Sequence, residues 1–181
     1  MTSAPTLEVL HPLPVLYEAE GRPLPEFELI EPKSLPEHCH RLLVHTGDMT
    51  SKLEDFFSSD MRLRVLRRDH TPEHYRREVI LFCEKSGLPV EYGAIEIELG
   101  AFGETLRNEI VTGLLPLGGL LNRHGIRYRS QPRGFLRVAP DPRLAELFQL
   151  PAPVVLFGRT NQLLDGEDRV LARIVEVLRP V

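Results

Sequence analysis

The sequence predicts an α+β fold: a single domain with an antiparallel β-sheet and helices on one face. Three observations predict it. Long strand-like runs return on themselves across turn residues, as at Glu84-Lys85-Ser86-Gly87-Leu88-Pro89 and Asp165-Gly166. The helical stretches between them are short. No strand–helix–strand unit repeats, so nothing argues for a parallel sheet. A chain of 181 residues is long enough to bury one sizeable core.

Residues 1–36 carry seven prolines, Pro5, Pro12, Pro14, Pro23, Pro25, Pro32 and Pro36. Proline opposes helix interiors and central strands, so this stretch is expected to be an extended arm laid across the domain of residues 37–181. Leu10, Leu13, Val15, Leu16 and Phe27 are its expected anchors. A helix is expected from about Pro36 to His45, with Leu42 and Leu43 inward. A second follows Gly47-Asp48-Met49-Thr50, with Asp48 or Thr50 as N-cap. Its inward stripe is Leu53, Phe56 and Phe57, at i, i+3 and i+4.

Strands come next. Met61–Arg68 is broken by Thr71-Pro72, and Tyr75–Cys83 pairs with Val90–Leu99. A short helix starts near Pro116, buries Leu117, Leu120 and Leu121, and stops at Gly125. Ile126–Val138 reads as a long strand bent at Pro132-Arg133-Gly134. A short helix, Arg143–Phe148, precedes the last hairpin, Pro153–Leu163 with Arg169–Leu178.

Composition excludes several classes. The net charge is −4, with no basic excess and no like-charge tail, so a nucleic-acid partner is not expected. No apolar run approaches the length of a membrane span, and no signal peptide is evident, which points to the cytoplasm. Cys39 and Cys83 cannot form a disulfide framework and are expected as reduced thiols. His38, Cys39, His40 and His45 fit no common zinc spacing, and no nucleotide-binding glycine motif is present. No metal or cofactor is expected.

Alternation in the strands marks the candidate site. In the last strand Val170, Ala172, Ile174 and Leu178 share one face, and Glu176 shares it with them. In the strand from Tyr75, Arg77 shares parity with Val79, Leu81 and Cys83. A charge on an apolar face is costly unless it is paired, reaches water or meets a ligand. Arg77 and Glu176 could pair with each other. They also suit a ligand with an anionic group and a hydroxyl, because a guanidinium matches a carboxylate in a bidentate way. Arg159, beside Val155 and Phe157, is a third candidate. Glu96 and Glu98 are expected on a solvated face.

These residues lie in stretches that resemble the chorismate lyase (chorismate–pyruvate lyase) family. They are Gly47-Asp48-Met49-Thr50-Ser51-Lys52-Leu53-Glu54, Tyr75-Arg76-Arg77-Glu78-Val79-Ile80-Leu81, Leu115-Pro116-Leu117-Gly118, and Gly158-Arg159-Thr160 with Ile174 to Pro180. The match runs over about residues 38–181. It implies an internal pocket closed by helical flaps, with Met49, Arg77, Leu117 and Glu176 at the ligand. Arg77 would bind a ring carboxylate and Glu176 the hydroxyl end. Met49 and Leu117 would contribute backbone groups. Arg77 and Glu176 would also be the catalytic pair of a carbon–oxygen lyase that converts chorismate to 4-hydroxybenzoate and pyruvate without a cofactor, in ubiquinone biosynthesis. The family often has an arginine in the strand that here reads Glu91 to Glu98. Its absence leaves the substrate's second carboxylate without an anchor.

Two other readings stand beside the lyase. Effector domains of some transcriptional regulators (the UTRA type) share this architecture, which allows a non-catalytic binder of small aromatic acids. The proline-rich first 36 residues argue against a helix-turn-helix ahead of the domain. A purely structural domain, with Arg77 and Glu176 paired internally, is the third.

Overall fold

The computed structural model describes residues 6–152 and 154–181. Met1–Pro5, the start of the expected arm, and Pro153, the expected start of a strand, lie outside them. The described chain forms α1 (Leu13–Glu18), β1 (Glu26–Ile30), α2 (Glu37–Leu43), α3 (Met49–Phe57), β2 (Met61–His70), β3 (His74–Cys83) and β4 (Pro89–Glu98). It continues through α4 (Glu104–Thr112), α5 (Leu117–Arg123), β5 (Arg129–Ala139), α6 (Pro142–Leu147), β6 (Leu156–Leu164) and β7 (Val170–Leu178). The strands make one seven-stranded sheet in the order β1-β5-β6-β7-β4-β3-β2. Every neighbouring pair is antiparallel. The α+β class and the antiparallel sheet are those the sequence predicts.

The two predicted hairpins are β3–β4 and β6–β7. The predicted bend in β5 is a register shift between Pro132 and Gly134. Asp48 caps α3 by accepting from the Ser51 amide at 2.8 Å, and Leu53 in this helix is fully buried. In α5, Leu117, Leu120 and Leu121 are all buried.

Three elements differ from expectation. The arm is not wholly extended, because α1 forms within it. Pro12 and Pro14 stand at the start of this helix, where a missing amide hydrogen leaves no intrahelical bond unmade. Leu10, Leu13 and Leu16 are buried, and β1 adds an edge strand beside β5. Second, α4 was not foreseen. Only Leu106 and Ile110 are buried in it, which gives a thin apolar stripe.

Third, helices cover both faces. On one face α2 and α3 pack with Leu81, Cys83 and Leu178, while α4 and α5 pack with Ile95, Ile97 and Ala172. On the other, Leu13, Leu16 and Tyr17 of α1 and Leu144 of α6 pack against Ile80, Phe82, Tyr92, Val175 and Val177. Strand alternation makes this possible, since β3, β4 and β7 are apolar on both sides.

Candidate functional site

The cavity opens on the first of these faces, between the cluster under α2 and α3 and the cluster under α4 and α5. Its floor comes from β3, β4, β6 and β7. Its cover comes from two helix starts, Gly47–Thr50 at α3 and Pro116–Gly118 at α5. These starts touch. A Cβ on Gly118 would lie 2.9 Å from the Asp48 Cβ, so a side chain there would force the two segments apart.

Strand register sets the polar groups out in rows. Arg159, Glu176, Gly93 and Val79 lie side by side across four strands. The next row holds Asn161, Ile174, Ile95 and Arg77. Strand spacing and rise put the Arg77 and Glu176 Cα atoms about 12 Å apart, with both side chains directed into the cavity. All five sequence-derived positions, Met49, Arg77, Leu117, Arg159 and Glu176, line it.

Their pairing differs from expectation. Glu176 does not pair with Arg77. Its carboxylate accepts from the Arg159 Nε of the neighbouring strand, and both residues are buried. Arg159 also donates to the carbonyls of Leu43 at 2.9 Å and His45 at 3.2 Å. The guanidinium therefore ties the loop between α2 and α3 to the sheet. This pair can hold a charge in the interior because opposite charge and hydrogen bonds accompany it.

Arg77 has much less. It is 3% exposed and, among the described residues, donates only to the Leu115 carbonyl, at 2.9 Å, in the segment leading to α5. Its Nε has no partner among the described residues. Burial pulls its pKa below the ordinary arginine value, partly offset by Tyr75, whose ring centroid lies 5.9 Å from the guanidinium carbon. A buried, under-bonded guanidinium over an apolar floor of Val79, Leu81 and Ile95 is arranged to receive an anion.

Sequence reasoning missed Glu91. It lines the cavity, is 5% exposed, and its Oε2 has no partner. Burial, reinforced by the charge of Glu176 and opposed by Arg159, pushes its carboxyl well above the ordinary range. The signal that marks Arg77 and Glu176 marks it too: Glu91, Gly93, Ile95 and Ile97 alternate onto one face.

Glu96 corrects an expectation in the other direction. It is buried on the far face rather than solvated, and it meets His11 at 2.7 Å, Arg76, and Arg173 at 3.5 Å. Its nearness to His74 and Glu98 makes the one cluster of three potential metal ligands among the described residues. Those carboxylates are already engaged by Arg76 and Arg173.

The fold can be compared with solved structures. The effector domain of PhnF from Mycobacterium smegmatis aligns with a TM-score of 0.60 and 16% identity, over 77% of this chain and 92% of that domain. PhnF itself aligns with a TM-score of 0.61 at 16% identity, over 77% of this chain, and this chain spans only 66% of it. A GntR-family transcriptional regulator from Bacillus cereus aligns with a TM-score of 0.50 and 10% identity, over 67% of this chain and 93% of that one. No protein-family model and no curated protein sequence matches the chain. These neighbours correct the expectation of a carbon–oxygen lyase. One is an effector domain and one a transcriptional regulator, and the lyase reading is set aside. At such low identity the likeness is one of architecture, and the chain has the fold of UTRA-type effector domains.

Proposed function

We propose that this domain binds, without transforming it, a small ring compound that carries a carboxylate. Arg77 receives the carboxylate. The Arg159–Glu176 pair meets a polar substituent at the opposite end of the ring. Met49 and Leu117 close over it with the starts of α3 and α5. One observation carries this reading: Arg77 is buried at the cavity with a single backbone partner and an unbonded Nε. Arg159, by contrast, is tied to Glu176 and to the Leu43 and His45 carbonyls and keeps only one terminal nitrogen without a partner among the described residues, so Arg77 is the less engaged cation and the better placed for an anionic ligand.

The name of the PhnF effector domain supports a binding role over a structural one. The cavity encloses about 80 Å³. That is room for several waters but less than the ~150 Å³ of a cavity known to take benzene. A ring therefore enters only as the two helix starts part, and closure over it would couple binding to a change in the cover.

The test is thermal stabilisation by 4-hydroxybenzoate. A ligand at ~100 times its Kd stabilises the folded state by about 2.7 kcal/mol. Arg77→Ala should keep the fold and lower affinity by about a hundredfold, the scale of a lost charge-assisted bidentate contact. Equal stabilisation of wild type and variant would refute the assignment.

A further inference from the structure

The polar end of the cavity contains one carboxyl more than the Arg159–Glu176 pair can use. Glu91 lies in the row next to Glu176, one strand over, an arrangement that separates the two Cα atoms by about 8 Å. Gly93, directly opposite Glu176, has no side chain between them. The Glu91 Oε1 lies 3.7 Å from the point where a Cβ on Gly93 would be, so its carboxyl folds into the space that glycine leaves, toward Glu176. Both carboxyls thus face one end of the cavity, with Arg159 as the guanidinium beside them. Arg77 stands at the other end.

We propose that Glu91 makes the cavity selective for a monocarboxylate with an amino group at its far end, an amino-substituted aryl acid, over the corresponding hydroxy acid or dicarboxylate. This deepens the binding reading above and rests on it. An aryl amino group carries two N–H donors and so can serve Glu91 and Glu176 together. A hydroxyl has one donor and can donate to only one of them. A second carboxylate has no donor and would face the Glu176 charge. Burial without a partner leaves the Glu91 Oε2 with unmet hydrogen-bonding capacity, and a donor that meets it relieves the cost of leaving a buried polar group unpaired. The raised pKa of Glu91 agrees with a carboxyl that lacks a donor or cation of its own.

Titration calorimetry on the full chain with benzoate, 4-hydroxybenzoate, 4-aminobenzoate and terephthalate tests the proposal. In wild type, 4-aminobenzoate should bind about tenfold tighter than benzoate, 4-hydroxybenzoate should fall between them, and terephthalate should bind weakest. Glu91→Met should erase the amino preference, so that 4-aminobenzoate and benzoate bind alike, a change in ranking that a merely destabilised fold would not give. If Glu91→Met does not fold, the wild-type ranking decides alone. Benzoate binding with no gain from the amino group overturns this inference and leaves the binding reading intact. Failure of all four acids to bind overturns both.

Discussion

Glu91 and Glu96 sit on the same strand and point to opposite faces of the same sheet, and both are buried. Glu96 is surrounded. Burial opposes its ionisation, but hydrogen bonds from His11 and Arg76 outweigh this and hold its pKa at about 2. Glu91 has a neighbouring acid and no hydrogen bond to its Oε2, and its pKa is pushed the other way. Glu78, also on the far face, accepts at one oxygen from the Tyr92 hydroxyl and from Arg143 at 2.8 Å, while its Oε2 has no partner among the described residues. Burial of a charge is therefore a poor marker of function in this protein. What separates Glu96 from Glu91 is satisfaction. Glu96 has partners from the stretch before α1 and from neighbouring strands, whereas Arg77 and Glu91 on the cavity face keep polar atoms without partners among the described residues.

The largest test of this contrast lies within the cavity itself. Arg159→Met removes the sole partner of a buried carboxylate and frees the Leu43 and His45 carbonyls. It should destabilise the protein by about 3–5 kcal/mol in chemical denaturation. Arg77→Met removes a guanidinium that has one neutral partner and should change stability by less than about 1 kcal/mol. Similar losses from the two variants would mean that Arg77 is as structural as Arg159, and the contrast would fail.

Glu96→Gln should come next. A carboxyl with its pKa lowered from 4.5 to about 2 stabilises the fold fully above pH 4.5 and loses that contribution as pH falls toward 2. At neutral pH the variant should be about 2 kcal/mol less stable, allowing for partial solvent screening, and the deficit should close below about pH 3. A deficit that persists unchanged to pH 2 would assign the loss to packing rather than to the His11 and Arg76 contacts.

Much of this arrangement was legible in the sequence because turns and alternation are local. Prolines and glycines marked both hairpins and the bend in β5. Parity put Arg77 and Glu176 on an apolar face, and both line the cavity. Pairing was not legible. It depends on the β6–β7 register, which sets Arg159 opposite Glu176 and includes a shift between Leu163 and Leu164 that turn residues do not reveal. The β4–β7 pairing joins residues about eighty positions apart, and it alone brings Glu91 near Glu176. The solvated reading of Glu96 failed for a related reason: its cover comes from His11, in a stretch whose prolines hid the start of α1.

The last expected effect has the opposite sign to that of Glu96. The folded state holds the Glu91 proton more tightly than the unfolded chain does, so this residue weakens the fold as pH rises above 4.5 toward its raised pKa. Glu91→Gln keeps the size and removes the titration. The variant should match wild type near pH 4 and become the more stable of the two by about 1 kcal/mol at neutral pH. Followed by urea denaturation between pH 4 and 8, the two glutamines should then give difference curves of opposite sign, Glu96→Gln losing stability where Glu91→Gln gains it. Curves of the same sign would mean that Glu91 is satisfied after all, by a group that also holds its charge, and the contrast between Glu96 and Glu91 would no longer stand.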